Sequence, residues 1–389
     1  MSHRGSPATE SGQMPAKGRP ATVRRMRGIV HIGGGEVVVT DDLEVRGPGP
    51  TEVTVRLVAA GVCHSDLSVL DGTIPYPTPV VCGHEGAGVV EEIGSAVRGV
   101  APGDHVVIST IANCGRCPAC AAGFPTRCRQ SIGNISKPFT FRGEPAYNFA
   151  ATSSFAERIV VDAVQAVPIP AEVPLTSACL IACGVITGIG SVLNRARVKT
   201  GETAVVFGVG GVGLNVVQAL RLVGASRIVA VDTNPAKEAL ACTFGATDFV
   251  IGGPDTADEV RAMFPAPGIH FAGGVDWAFE CTGVPAVLTT AIETLDWGGT
   301  AVAVGVPAPG KEISTVITRL TQIDRGVIGC RYGTARPHAD FPMIASLYLD
   351  GRLLLDELVS ETAPLADFST IVDAMHAGRV ARGVLTFSG

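Results

Sequence analysis

The stretch TAVVFGVGGVGLNVVQALRLVGASRIVAVDTN, residues 203–234, decides the fold. It opens on a short apolar run, Thr203–Phe207, rich in β-branched residues. Such a run fits a strand buried on both faces. GVGGVG follows at Gly208–Gly213, then a helix-length apolar segment, then a second apolar run ending at Asp232. Strand, glycine turn, helix, strand is one unit of a doubly wound parallel sheet. Gly208, Gly210 and Gly213 fill the three slots of Gly-x-Gly-x-x-Gly, with Gly211 and Val212 between them. In that context the glycines permit a tight turn and let a pyrophosphate approach the helix N-terminus. Asp232, about 20 residues on, is placed to accept hydrogen bonds from ribose hydroxyls. Its charge opposes a 2′-phosphate, so the expected dinucleotide is NAD rather than NADP.

Working outward, later strand candidates are VDWAFECTG, GTAVAVGVP and GVIGC, with helical patterns such as PAVLTTAIETL between them. The residues before Cys183 read differently. VVVTDDLEV, EVTVRLVAAGV and GAGVVEEIG are short β-branched runs separated by Gly- and Pro-rich turns, the pattern of a barrel-like β domain. After about Arg331 the chain reads helix, loop, helix and a final strand in VARGVLTFSG. The expected fold is therefore α/β, a β-rich domain interrupted by a doubly wound domain. The boundaries are residues 25–184 with 332–389 for the first and 185–331 for the second. Residues 1–24 are polar and rich in Gly, Pro and Ser, lack an apolar signal core, and are read as a disordered tail.

The chain has 389 residues, too many for one compact core. A net charge of −6 gives no electrostatic reason to expect nucleic acid or an anionic membrane as partner. No run of about 18 apolar residues suggests a membrane span. Eleven cysteines in a large chain without an export signal point to metal binding or free thiols rather than disulfides, and to the cytoplasm.

Cys114, Cys117, Cys120 and Cys128 form C-x2-C-x2-C-x7-C within the loop 113–129. Four close thiolates suit a closed, structural, tetrahedral zinc site. A cysteine triplet also suits an iron–sulfur cluster, but a fourth cysteine in the same loop favours zinc. A second set is spread out: Cys63 in GVCHSD, His84 and Glu85 in GHEGAG, and Cys183 in CGVITG. Two cysteines and a histidine with an open fourth position are one catalytic zinc set, although spacing alone does not join them.

GVCHSD, GHEGAGVVEEIG, the cysteine lobe, CGVITGIGS and GVGGVG followed by VDTN occur in one order. In that order the chain resembles the zinc-dependent alcohol dehydrogenases of the medium-chain dehydrogenase/reductase superfamily, from about Met26 to Phe387. The resemblance implies a GroES-like catalytic domain and a Rossmann domain with the active site between them. It implies two zinc ions per chain: a catalytic one on Cys63, His84 and Cys183, and a structural one in the lobe. Glu85 matches the acidic residue beside the catalytic zinc, Ser65 the hydroxyl that takes the substrate proton, and Asp66 the partner of the His84 ring. Lys237 matches an adenosine-ribose contact, Thr187 a nicotinamide contact, Val304 a cofactor contact, and Arg382 and His64 pyrophosphate contacts. Ile74, Thr110, Phe149, Ala150 and Val306 are expected to line the substrate pocket, with Arg331 at its mouth.

The implied reaction is NAD-linked interconversion of alcohols and aldehydes or ketones. Small residues at 110 and 150 favour bulky primary alcohols. One alternative is a thiol-adduct, formaldehyde-type dehydrogenase. Against it, the basic residue of that branch aligns with Ile132, although Arg127 or Arg129 could compensate. Another is a nicotinoprotein with permanently bound NAD, suggested by the segment Ala335–Pro337. A zinc-free quinone reductase or non-catalytic relative is opposed by the filled ligand positions and Asp232. The chain departs from familiar members at Ser68, where a proton-relay histidine often stands, so the relay is expected to end in water or His64. The partners implied are a small alcohol or aldehyde and a second copy of the chain, as homodimer or homotetramer through the edge of the nucleotide domain near GVPAPGKEIS.

Overall fold

The computed structural model describes residues 24–131, 135–265 and 273–387. The tail expected over 1–24 thus lies outside the described residues, except that Arg24 already begins the first strand, Arg24–Gly33. Ile132 also lies outside them.

Among the described residues there are three β layers. Arg24–Gly33, Glu36–Val45, Phe139–Phe141, Glu144–Asn148 and Val80–Val81 close into a small barrel. A seven-stranded sheet is built around Glu52–Val62, which pairs with Glu85–Ile93, Arg158–Asp162 and the C-terminal strand Arg382–Thr386. The chain's end therefore returns to the first domain. Ile29, Leu43, Leu57, Phe139 and Phe155, all essentially buried, fill the core these two layers share.

The third layer is a six-stranded parallel sheet. Its order is Asp248–Ile251, Arg227–Asp232, Thr203–Phe207, Val275–Glu280, Leu295–Ala303 and Gly326–Gly329. That is the doubly wound order in which the first strand lies centrally and the chain reverses beside it. The central strand is apolar throughout because both faces are covered: Ala204 and Val206 face one core cluster, Val205 and Phe207 the other. The helix Gly213–Val223 carries the crossover and stops at Gly224, which takes the left-handed φ of +78°.

No single described helix is long and apolar enough to cross a membrane. The bent pair Leu175–Ala182 and Gly184–Ala196 is apolar because it lies in the core between the two sheet systems, where Leu180, Ile181, Val185 and Ile189 are fully buried.

Candidate active site and cofactor cleft

Four segments converge on one point. Cys63 follows the strand Glu52–Val62 and caps the helix His64–Leu70. His84 precedes the strand Glu85–Ile93, and Cys183 caps the helix Gly184–Gly190. The donor atoms of Cys63, His84, Glu85 and Cys183 all lie within 4.8 Å of one another. Tertiary packing thus gathers residues up to 120 positions apart.

Asp66 ties the cluster together. Its Oδ1 lies 2.9 Å from His84 Nδ1, and its Oδ2 accepts from the Cys63 backbone N–H at 3.0 Å. Nδ1 is therefore occupied, and Nε2 is the ring nitrogen left for a metal. Burial works to lower the His84 pKa, but the Asp66 carboxylate and the Cys63 thiolate outweigh it and hold it above the ordinary value. A hydrogen bond from the Cys183 thiol lowers Cys63, so the pair favours one thiolate even without a cation.

Glu85 is wholly buried, which pushes its pKa up to about 7 against the pull of Arg382. Its Oε1 accepts from Gly184 N–H at 3.2 Å and pairs with Arg382 Nη1 at 3.2 Å. Its Oε2 has no hydrogen-bond partner among the described residues. An orphaned buried carboxylate oxygen beside two thiols and an imidazole is a set that a divalent cation would satisfy.

In the lobe, Cys114, Cys117, Cys120 and Cys128 also bring their sulfurs within 4.8 Å of one another. Cys117 Sγ and Cys120 Sγ are 3.5 Å apart, Cys128 Sγ and Cys114 Sγ 3.7 Å. A tetrahedron with Zn–S bonds of about 2.3 Å has edges of about 3.8 Å, so the lobe fits zinc. Backbone N–H groups of Cys117 and Cys114 point at the sulfurs of Cys114 and Cys128, at 3.4 and 3.5 Å. They favour the thiolate form, and Cys128 is lowered to about 6, the Cys114 N–H being the largest cause.

The glycine turn follows the strand Thr203–Phe207. Gly208 has φ of +83°. A Cβ on Gly213 would meet the Gly208 carbonyl oxygen at 1.9 Å, so only glycine allows the helix to start so close to the strand. Gly210 faces open space, where a dinucleotide would lie. Asp232, at the end of the neighbouring strand, accepts from Val209 N–H at 3.0 Å and pairs with Lys237 Nζ at 2.8 Å. Arg382 lies between this turn and the metal cluster: a Cβ on Gly211 or Gly184 would come within 2.0 or 1.9 Å of its guanidinium. Partial desolvation lowers the His64 pKa, and Arg382, His376 and Lys237 add to this against the Cys63 charge. His64 therefore sits in a cationic neighbourhood, suited to phosphate. His376 was not singled out from the sequence, because nothing in AMHAG marks it. Thr187 lies in the helix Gly184–Gly190, and Val304 is buried just past Leu295–Ala303, its N–H bonded to Glu280 O at 2.9 Å.

A pocket of about 330 Å3 opens on the cluster. Ser65, His84, Cys183, Thr110, Phe149, Ala150 and Arg331 line it, together with Tyr76, Ser131, Ile135 and Ala151. Tyr76 and His84 both meet the Phe149 ring edge-on, at 5.2 and 5.5 Å. Two expectations are corrected. Val306 is 76% exposed, because it lies beyond the strand Leu295–Ala303 on the sheet's rim, and Ile74 packs against the barrel core. Neither lines this pocket. Tyr76 could have been noticed as an aromatic held between two prolines in IPYPTP.

Comparison with known proteins now bears on this geometry. Residues 49–171 match the alcohol dehydrogenase GroES-like domain, and residues 211–349 the zinc-binding dehydrogenase family. The chain belongs to the zinc-dependent alcohol dehydrogenases. Its cofactors are NAD and zinc. This alcohol dehydrogenase is 35% identical to the S-(hydroxymethyl)glutathione dehydrogenase of Paracoccus denitrificans, over 93% of this chain and 100% of that one. It is 37% identical to the class-3 alcohol dehydrogenase of Myxine glutinosa, over 89% and 93%. The benzyl alcohol dehydrogenase of Acinetobacter calcoaceticus superposes with a TM-score of 0.86 at 28% identity, covering 94% of this chain and 100% of that one.

Proposed function

We propose that this dehydrogenase oxidises primary hydroxyl groups larger than those of simple alcohols, with the S-hydroxymethyl adduct of a small thiol as its leading substrate. The observation that carries this reading is the pocket of about 330 Å3 running from Cys183, His84 and Ser65 to Arg331. It reaches from an apolar wall at Phe149 to a cationic mouth, which suits a polar substrate extending outward. The relatives named for S-(hydroxymethyl)glutathione support the same reading.

Cys63, His84 and Cys183 would hold the catalytic zinc, and the glycine turn with Asp232 and Lys237 the NAD. When bound, zinc would supply a Lewis-acidic centre and NAD+ a hydride acceptor, so that an S-hydroxymethyl adduct would leave as an S-formyl thioester. Ser65 lies in the pocket wall, its Oγ 3.9 Å from Cys63 Sγ, and takes the hydroxyl proton. Phe149 closes one side of the pocket to water, while Thr110 and Ala150 leave room beside it. Thr187 would lie against the nicotinamide, and Val304 would contact the cofactor. Exposed Val306 and Ile313, in the segment GVPAPGKEIS that follows the strand Leu295–Ala303, are the surface on which two copies would meet.

A second reading, bulky primary alcohols, is favoured by the small side chains of Thr110 and Ala150. One panel separates the two: NAD reduction with formaldehyde plus glutathione, ethanol, and aromatic or long-chain alcohols. The adduct should exceed ethanol in kcat/KM by at least about tenfold. A rate independent of the thiol, with aromatic alcohols preferred, favours the second reading. A flat series from ethanol upward overturns both.

A further inference from the structure

Two walls of the substrate pocket are short irregular segments. One is the loop that follows the strand Glu144–Asn148. In it Ala150, Ala151 and Ser153 take φ of +50°, +59° and +62°. There a β-carbon crowds the carbonyl oxygen that follows it, and an L-residue stays only where its surroundings hold it. Ala150 and Ala151 both line the pocket. The other wall is Thr110, just past the strand His105–Ile108.

One buried side chain joins the two. Gln165 is 1% exposed and ends the turn Ala163–Gln165. Its Nε2 donates to Ser109 O at 2.9 Å and to Ala151 O at 3.1 Å. Its own carbonyl accepts from Ser109 N–H at 2.8 Å. The strand that follows it, Ala166–Pro168, pairs with His105–Ile108, so the amide is fixed to a rigid sheet. Both Nε2 protons are therefore used, one on each wall. On its other side the loop is tied to Gly83, the neighbour of His84. Thr152 Oγ1 and Ser154 N–H donate to Gly83 O at 3.2 and 2.9 Å.

We propose that Gln165 sets the width of the substrate pocket. By clamping Ala151 to Ser109 it keeps the left-handed Ala150–Ala151 pair at a fixed separation from Thr110. That separation decides which carbon skeletons reach the Cys63–His84–Cys183 cluster. Gln165 does not itself line the pocket, so it is a positioning residue. Without its amide two carbonyls lose their donor, and Ala151 is free to leave the left-handed well and fill the room beside Thr110. The inference rests on the dehydrogenase reading of the cluster but not on which substrate is oxidised.

The test uses the full-length, zinc-loaded protein and two primary alcohols of equal carbon number, straight 1-heptanol and the wider cyclohexylmethanol. In Gln165→Met the wide alcohol should lose at least about tenfold in kcat/KM relative to the straight one, carried by KM. KM for NAD and the zinc content should not change. Glycine takes a left-handed φ without crowding, so Gln165→Met/Ala151→Gly should regain most of the lost ratio. Hydrogen exchange read by mass spectrometry gives a readout independent of turnover. In Gln165→Met the amides of residues 109–111 and 149–155 should exchange at least about tenfold faster, with those of 114–128 and 208–213 unchanged. If Gln165→Met does not fold, Gln165→Glu, of nearly equal shape and with at most one proton to donate, carries the same comparison.

An unchanged ratio and unchanged exchange in an enzyme that oxidises both alcohols overturn the proposal and leave the dehydrogenase reading standing. An equal loss for both alcohols with a raised KM for NAD also overturns it, since the effect is then a general loosening. So does a changed ratio that Ala151→Gly fails to restore, because Gln165 then acts by packing alone. Faster exchange confined to the two segments, in a protein inactive toward every alcohol tried, keeps the clamp and removes the dehydrogenase reading.

Discussion

Asp66 holds His84: its Oδ1 lies 2.9 Å from the ring's Nδ1, while its Oδ2 receives the Cys63 backbone N–H at 3.0 Å. One buried carboxylate thus sets the orientation of a histidine donor and the backbone of a cysteine donor. It does so from within the helix His64–Leu70, which Cys63 itself caps.

Asp66→Ala should therefore weaken zinc at the catalytic cluster by about 10- to 100-fold, without touching the lobe. Metal analysis after dialysis against a weak chelator checks this: zinc should fall from two per chain to one. Retention of both ions would contradict the orienting role.

Ser65 and Ser68 lie on the same short helix, but only Ser65 lines the pocket. A serine at position 68 can pass a proton but cannot store one near neutral pH. Cys63→Ser and His84→Ala should abolish turnover, whereas Ser68→Ala should change kcat only modestly, by less than about threefold. Steady-state and single-turnover rates distinguish these outcomes, and a large loss at Ser68 would show that the relay does not end in water.

Asp232 accepts from the glycine turn and pairs with Lys237, so its charge sits where an adenosine ribose would lie. Asp232→Ser removes the repulsion of a 2′-phosphate and leaves Lys237 free to meet it. The ratio of kcat/KM for NADP over NAD should rise by at least about tenfold. An unchanged ratio would place the discrimination elsewhere.

Tyr332 bridges the two halves of the site. Its hydroxyl donates to the Ala182 carbonyl, next to Cys183, and accepts from Thr110 N–H at 3.4 Å. Tyr332→Phe leaves both backbone groups without that partner, at a cost of about 1–3 kcal/mol. A lowered thermal midpoint is expected, with a rise in KM as Thr110 and Cys183 lose their common tether. An unchanged midpoint and KM would assign Tyr332 to packing alone.

The cost of disturbing Arg382 follows from its burial. It is 4% exposed and paired with the fully buried Glu85. Removing one member of such a pair costs about 3–5 kcal/mol, because the other charge stays behind. Arg382 therefore couples the C-terminal strand, the metal cluster and the glycine turn in one contact.

The alternation of strand and helix after Cys183, the glycine turn and the cysteine lobe were legible in the sequence because each is local. Their chemistry depends on residues within a few positions, or on one strand–turn–helix unit. GVGGVG needs only its own backbone to make the turn, and Cys114 to Cys128 span one loop. Family resemblance extended this to Cys63, His84 and Cys183, which no spacing rule could have joined. Tertiary structure decided the rest. It put Val306 on the rim and Ile74 in the barrel core, brought Tyr76 and Ala151 into the pocket, and set Tyr332 between Thr110 and Ala182. It also brought Gln165 against both Ser109 and Ala151. These relationships depend on how the sheets pack against one another, and distances between side chains on different sheets leave no periodic trace along the chain.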